Sequence, residues 1–164
     1  MTSTAAPSLT IRSLQGDYAV RFEDRLEEVV RHALACRPSA VLLVDAQVAQ
    51  VYGQTLAPLL EGMPTCVLEA TEDEKTLTGI TKVVRWLQEQ RCTRQTVVIA
   101  LGGGIIQDVA TFAAHVYYRG IRWVFVPTTL LSMGDSCIGA KCGINLQDFK
   151  NQLGVFHAPS EVVI

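Results

Sequence analysis

The sequence has no excess of charge of one sign and few aromatic residues. Among its 164 residues, 14 Lys and Arg stand against 16 Asp and Glu, so the formal net charge is −2, and no block of like charges occurs. Aromatic residues make up only 7% of the chain. A nucleic-acid surface needs clustered positive charge and often aromatic stacking platforms, so we exclude a nucleic-acid partner. The 49% share of hydrophobic residues instead predicts one globular domain with a substantial core.

The sequence also lacks the signatures of export and of a membrane anchor. Its first ten residues, MTSTAAPSLT, have neither the basic start nor the apolar run of a signal peptide. The apolar stretch over residues 96–118 is long enough to cross a bilayer, but Asp108 lies at its centre and three consecutive glycines interrupt it. We therefore expect a cytoplasmic protein without membrane contact, in which this stretch forms a buried strand, a turn and a buried helix.

The cysteines show neither zinc-site spacing nor the even number of a disulfide framework. We expect reduced thiols at Cys36, Cys66, Cys92, Cys137 and Cys142. The His, Cys, Asp and Glu residues do not group into a metal site elsewhere in the sequence either. We therefore assign no metal ligand within this chain.

Buried runs and helical stripes alternate through most of the sequence. Residues 8–14 and 18–22 read as two short strands around a turn at residues 15–17. Continuous apolar runs, typical of parallel strands buried on both faces, cover residues 40–45, 65–70, 96–101 and 121–126. Helical spacing of apolar residues covers residues 23–35, 76–90 and 105–118. The alternation predicts an α/β fold, a Rossmann-like parallel sheet with helices on both faces, preceded by a short N-terminal β-hairpin.

The pattern loosens from about residue 128 onward. Glycines are scattered there among Asp, Ser, Lys and Asn, and a long polar segment of this kind often carries function. The chain then ends on EVVI, the start of a strand-like run, which we interpret as a cut rather than a natural terminus.

The strongest local signal is the run VVIALGGGIIQD, with glycines between a buried strand and a helix. Two interpretations stay open: the turn can bring backbone N–H groups close to a phosphate, or its glycines can serve close packing of helix on sheet. The later run GDSCIGAKC is similar to a P-loop, but its lysine comes one position late and no Ser or Thr follows. We therefore exclude a P-loop.

Several polar residues near the strand ends also allow two roles. Asp45 ends a buried run, where its carboxylate could accept hydrogen bonds from a ribose or cap the following segment as a helix. Glu72 and Lys75 precede a helix, where charged residues also occur simply as a solvated helix start. Thr128 and Thr129 follow a strand and a proline, where capping is the simpler role.

The segments GGGIIQD, RG, VPTTLL, DSCIGAK, GIN, KNQLGVFHAP and EVVI together resemble the N-terminal domain of the 3-dehydroquinate synthase and sugar phosphate cyclase family. The resemblance begins near residue 18 and is densest from residue 100 onward. It implies that residues 1–164 form a single NAD-binding N-terminal domain of a two-domain cyclase. The implied partners are the C-terminal domain, absent from this chain, and a second copy in a homodimer. That C-terminal domain would supply a Glu and two His to a divalent metal, zinc or cobalt.

The resemblance also implies roles for individual residues. Asp45, with Gln47 beside it, would hold the adenosine ribose, and Glu72 and Lys75 would belong to the cofactor loop. Gly103, Gly104 and Ile105 would form the turn under the pyrophosphate, with Asp108 one helical turn on. Thr128 and Thr129 would lie on the nicotinamide side, and Lys150 would make a further cofactor contact. The substrate-binding positions are Arg119, Asp135, Lys141 and Asn151. Lys and Arg suit a phosphorylated sugar acid because both ends of such a substrate are anionic.

The implied activity is that of a lyase of the shikimate pathway, in aromatic amino acid biosynthesis. It combines transient oxidation by NAD, β-elimination of phosphate, re-reduction and an intramolecular aldol cyclisation, and the chain alone should be inactive. The sequence departs from the family at Gln107, a usual Gly, and at Cys137, Ala140 and Cys142, where Ser, Gly and Thr are common. Two alternatives therefore stay open: a secondary-metabolism cyclase for a seven-carbon sugar phosphate, and a non-catalytic nucleotide-binding module.

Overall fold

The computed structural model describes residues 7–35, 37 and 39–164. The interpretations of the first six residues and of Cys36 lie outside this part of the chain. The helices run over α1 Leu26–Leu34, α2 Ala46–Leu56, α3 Leu77–Glu89 and α4 Gly104–Val116. The strands are β1 Ser8–Ile11, β2 Tyr18–Arg21, β3 Ala40–Asp45, β4 Thr65–Leu68, β5 Val97–Gly102, β6 Arg122–Pro127, β7 Lys141–Leu146, β8 Phe149–Phe156 and β9 Glu161–Val163.

Seven of these strands form one sheet in the order β1-β2-β9-β6-β5-β3-β4. Only the β1–β2 hairpin is antiparallel, and every other neighbouring pair is parallel. The last strand, β9, returns between β2 and β6 and so joins the N-terminal hairpin to the parallel core. The predicted α/β class, with its parallel sheet and N-terminal hairpin, is confirmed.

The sheet is covered by helices on both faces, as predicted. Alternate residues of each strand point to opposite faces, so Leu43 packs with α3 and α4 while its neighbour Leu42 packs with α1 and α2. The four residues of β5 from Val98 to Leu101 are at most 3% exposed. This burial explains why the central strands have continuous apolar sequences.

Two parts of the sequence-based prediction were incomplete. A helix, α2, follows β3 directly; apolar spacing did not predict it, and it was left open only as one of the two roles of Asp45. The segment after residue 128, expected to be irregular, contains a π-helical turn over Ser132–Ser136 and a second antiparallel hairpin formed by β7 and β8. That hairpin packs against α4. No helix among the described residues is long and apolar enough to cross a membrane.

Candidate functional site

The polar residues predicted from the sequence gather where the parallel strands end. Because β3, β4, β5 and β6 run the same way, their carboxyl ends meet at one edge of the sheet, which is where open α/β sheets bind ligands. A cleft of about 560 Å³ opens there, and we refer to it as the first cleft. It is lined by Asp45, Ala46, Gln47, Gln50, Glu69, Ala70, Thr71, Gly103, Gly104, Ile105 and Thr129.

The three glycines at the junction of β5 and α4 serve the two roles that the sequence left open: Gly102 ends β5, Gly103 follows it and Gly104 begins α4. A Cβ on Gly102 would lie 2.5 Å from the Ile106 side chain, and one on Gly103 would lie 2.9 Å from Thr129, so these two glycines serve close packing. A Cβ on Gly104 would meet nothing within 4 Å, because this residue faces the clefts. The first intrahelical bond of α4 runs from the Gln107 N–H to the Gly103 carbonyl, which leaves the earlier N–H groups available to a ligand.

Asp45 combines both of the roles considered for it. Its Oδ1 accepts the Gln47 N–H at 2.9 Å and so caps α2. The same side chain lines the first cleft. Since a carboxylate has two oxygens, capping leaves the other oxygen available as an acceptor.

A second cleft, of about 450 Å³, lies on the other side of the start of α4. It is lined by Lys75, Gly104, Gln107, Asp108, Asp135, Ser136, Ile138, Lys141, Cys142, Gly143 and Asn151. Gly104 lines both clefts. The structure therefore brings three of the four predicted substrate residues together, and it places Lys75 and Asp108 among them rather than in the first cleft.

Lys75 and Asp108, which both line the second cleft, form an ion pair. The Lys75 Nζ lies 2.6 Å from Asp108 Oδ2, and both side chains are largely buried. Asp108 Oδ1 also accepts the Gly143 N–H at 3.0 Å, which ties α4 to β7. Burial raises the pKa of Asp108, while the bonds from Lys75 and Gly143 oppose that rise. Burial, with the Asp108 charge, also raises the pKa of the adjacent Cys142 thiol to about 12, so this thiol stays protonated and unreactive.

Glu72 and Lys150 meet outside the clefts, at the edge of the second hairpin. Lys150 Nζ lies 3.8 Å from Glu72 Oε2, and both side chains are substantially exposed. The same Glu72 oxygen accepts a hydrogen bond from Asn145 Nδ2 at 2.7 Å. This bond, more than the nearby Lys150 and Lys75 charges, lowers the pKa of Glu72.

Two further predicted residues, Thr128 and Arg119, also lie outside both clefts. Thr128 borders a small apolar cleft between α1, α2 and the end of β6. Arg119 follows the C-terminal end of α4 in a left-handed conformation, with φ 65°. A helix of 13 residues is about 20 Å long, so Arg119 lies about that far from Gly104. Its assignment to the substrate stays a prediction.

Sequence reasoning missed several residues that line the clefts. Glu69 and Thr71 follow β4, whose carboxyl end lies beside that of β3. Their place after an apolar run is the signal that could have identified them. Gln107 is 4% exposed, and its amide binds both the carbonyl and the hydroxyl of Ser136 at the second cleft. Nothing in the sequence marks Ser136 as its partner.

The sheet, its crossovers and the ligand-sized clefts at its carboxyl edge define a Rossmann-like α/β domain. A family model described as "3-dehydroquinate synthase N-terminal" matches residues 65–164. The chain belongs to the 3-dehydroquinate synthase family.

Curated relatives and solved structures agree with this assignment. The chain is 43% identical over 141 residues to a 3-dehydroquinate synthase of Paracoccus denitrificans, covering 84% of this chain and 38% of the relative. It is 44% identical over 108 residues to a 3-dehydroquinate synthase of Pyrobaculum islandicum, covering 66% of this chain and 32% of the relative. The chain thus spans about a third of the length of these relatives.

Two solved structures share the fold with a TM-score of 0.82. One is the 2-epi-5-epi-valiolone synthase ValA of Streptomyces hygroscopicus subsp. jinggangensis, with NAD+ and Zn2+ bound, 35% identical over 94% of this chain and 44% of that one. The other is a 2-deoxy-scyllo-inosose synthase complexed with carbaglucose-6-phosphate, NAD+ and Co2+. It is 26% identical, and the match covers 96% of this chain and 45% of that one.

Proposed function

We propose that residues 1–164 are the NAD-binding N-terminal domain of a two-domain sugar phosphate cyclase of the 3-dehydroquinate synthase type. The observation that carries this proposal is the first cleft, where an open glycine position at a helix start and a strand-end carboxylate face the same space. Both solved cyclases that share the fold carry NAD+. The family assignment and the cleft thus support the same cofactor.

The residues of the first cleft fit NAD in shape and in donor chemistry. The free N–H groups at the start of α4 and the positive end of its dipole suit the pyrophosphate, under which Gly103, Gly104 and Ile105 pass. The second oxygen of Asp45 can accept a ribose hydroxyl, with Gln47 beside it. Thr129 lines the same cleft and would contact the nicotinamide end, and Thr128 directly follows β6.

The second cleft suits an anionic substrate. Asp135, Lys141 and Asn151 line it together. Among the described residues, Lys141 forms no ion pair, whereas Lys75 is paired with Asp108 and Lys150 with Glu72. An unpaired ammonium group and an amide can orient a phosphorylated sugar acid next to the start of α4.

The redox chemistry belongs to the cofactor and the orientation of the substrate to the protein. When bound, NAD supplies hydride transfer, which allows transient oxidation of a secondary alcohol, β-elimination of phosphate, re-reduction and intramolecular aldol closure. Because Gly104 lines both clefts, a cofactor in the first and a substrate in the second would meet above this residue. Lys141 and Asn151 would then hold the substrate in that place.

The described residues do not offer a site for the divalent metal of the two solved cyclases. No group of three or more His, Cys, Asp and Glu among them could hold a metal ion. We therefore derive no step through zinc or cobalt within this chain. A C-terminal domain is the proposed partner that would supply the metal ligands, together with a second copy of the protein, and the chain alone would be inactive.

A secondary-metabolism cyclase that acts on a seven-carbon sugar phosphate is the second candidate. The 35% identity to the 2-epi-5-epi-valiolone synthase favours it, as does Cys142 in the second cleft at a position where Thr is common. The higher identity to 3-dehydroquinate synthases favours the first. A non-catalytic nucleotide-binding module is less favoured, because such a module has no need of Lys141 and Asn151 in one cleft.

The cofactor proposal is tested by titrating NAD into the purified chain in a calorimeter. We expect weak binding at one site, because a half-open cleft leaves much of the cofactor in water. Asp45→Asn should weaken it by about tenfold or more, the worth of one hydrogen bond to a charged group. Asn caps helices as well as Asp does, so the melting temperature should stay unchanged. No NAD binding by the wild type, or equal affinity in the variant, would refute the assignment.

A further inference from the structure

Asn145 is a buried polar residue that lines neither cleft. It contacts residues that the resemblance assigns to NAD, Glu72 and Lys75, and one that it assigns to the substrate, Asn151. It lies in β7 and is only 6% exposed. Its Nδ2 donates to Glu72 Oε2 at 2.7 Å, and its Oδ1 accepts the Asn151 N–H at 3.0 Å. Its own N–H donates to the Lys75 carbonyl at 2.8 Å. One side chain and one amide therefore join the segment over residues 72–75 to the second hairpin.

Both of the joined parts need an external constraint. Asn151 has φ 55°, a left-handed conformation that Asn adopts more readily than most residues but still less readily than Gly. The Glu72 side chain is 47% exposed and projects from the loop before α3, where it would otherwise sample several rotamers. A buried amide with partners on both sides fixes each part relative to the other, and leaving any of these groups unpaired is costly.

We propose that Asn145 is a positioning residue that holds residues 72–75 and Asn151 as one unit, so that NAD affinity depends on the Glu72–Asn145 hydrogen bond. This inference rests on the proposed function: NAD in the first cleft would extend past Gly104, which lines both clefts, toward Lys75 in the second cleft, and Glu72 lies in the same loop as Lys75. Asn145 acts through Glu72 and Lys75 and makes no contact with the ligand itself.

A side-chain swap separates this role from a general effect on folding. Asn145→Asp keeps the acceptor for the Asn151 N–H but places a second carboxylate against Glu72. Glu72→Gln retains the bond, since a Gln amide can present its oxygen to Asn145. The double variant Glu72→Gln/Asn145→Asp restores the bond with donor and acceptor exchanged and keeps the net charge of the pair.

NAD affinity should follow the bond rather than the number of substitutions. We expect Asn145→Asp to bind NAD about tenfold more weakly than the wild type, and the double variant to stay within about threefold of Glu72→Gln. Gln147→Glu adds the same charge at an exposed position of the same hairpin and should change nothing. If Asn145→Asp weakens binding by the same factor in the wild-type background and in the Glu72→Gln background, the proposal is overturned.

A ligand-free measurement separates this inference from the cofactor assignment. Exchange of the residue 145 backbone amide, followed by NMR, reports the bond to the Lys75 carbonyl. It should accelerate at least about tenfold in Asn145→Asp and return near the wild-type rate in the double variant. If the wild type binds no NAD, the proposed function fails whatever the exchange shows. The positioning role is overturned if the wild type binds NAD and the double variant regains amide protection but not NAD affinity. The mechanical link itself is overturned if protection is unchanged in Asn145→Asp.

Discussion

Replacing Gly104 with valine should abolish most NAD binding while leaving the fold intact. A Cβ at this position meets nothing within 4 Å, and the backbone is not in the left-handed region that only glycine tolerates well. Valine is also no worse than glycine as a helix former. The free energy of unfolding should therefore change by less than about 1 kcal/mol.

The loss of affinity follows from where the new side chain would lie. Valine at residue 104 would fill the space where both clefts open, directly over the free N–H groups of α4. Each charge-assisted hydrogen bond that a pyrophosphate loses there costs about 1.5–3 kcal/mol, so losing one bond lowers affinity about 10-fold to 150-fold.

Calorimetry and thermal melting of the same preparations measure both effects. Gly53→Val is the matched control, because Gly53 lies in α2, also has open space at its Cβ and lines neither cleft. It should bind NAD like the wild type. Wild-type NAD affinity in a well-folded Gly104→Val variant would refute the assignment of the cofactor to this turn.

Three further predictions address the substrate, the isolated chain and the pH dependence of stability. In a protein carrying both domains, Lys141→Ala should lower kcat/KM at least about tenfold while NAD affinity stays within about twofold, and full activity would place Lys141 outside the site. The purified 164-residue chain with added zinc should release no phosphate from a seven-carbon sugar phosphate above a no-protein control. Glu161→Gln should destabilise the fold by about 1–3 kcal/mol at pH 7, because it leaves Arg21 and Arg37 without their carboxylate, and urea unfolding at several pH values should show the difference shrinking at acid pH.

The sign of the Glu161 effect follows from its surroundings. Burial alone would raise the pKa of this carboxyl, but bonds from Arg21 and Arg37 and the nearby His32 outweigh burial and lower it. A carboxyl whose pKa is lower in the folded state stabilises the fold above its unfolded pKa. That stabilisation is lost as the pH falls through the folded pKa. A difference between wild type and variant that grows below about pH 4 would contradict this assignment.

The buried core of the fold could be read from the sequence because burial on both faces leaves a simple pattern. The predicted run over residues 40–45 coincides with β3, and the predicted run over residues 121–126 differs from β6 by one residue at each end. Apolar spacing did not predict the helix α2, because only Val48 and Leu56 of its eleven residues are buried. Two buried positions eight residues apart do not make a recognisable stripe.

The second hairpin escaped prediction for a different reason. Most of β8 is exposed, so its sequence lacks the apolar signal of a strand. Gly143 and Gly154 face each other across the hairpin, where a Cβ on Gly143 would lie 2.5 Å from Asn151 Oδ1 and one on Gly154 would meet the Cys142 carbonyl. In the sequence alone these glycines indicate a loop, whereas in the structure they are required because the two strands approach each other closely. Only long-range pairing distinguishes the two cases.

The distribution of charge explains why the two clefts can serve different parts of one reaction. In the second cleft Lys75 is neutralised by Asp108, so this pair does not attract an anion strongly. Outside the clefts, Lys150 is likewise paired with Glu72. Lys141 remains as an exposed ammonium group beside Asn151. The first cleft instead presents backbone N–H groups and the Asp45 carboxylate, which suit a pyrophosphate and a ribose hydroxyl. In the proposed function, a cofactor and an anionic substrate would therefore be bound by different donors on the two sides of Gly104.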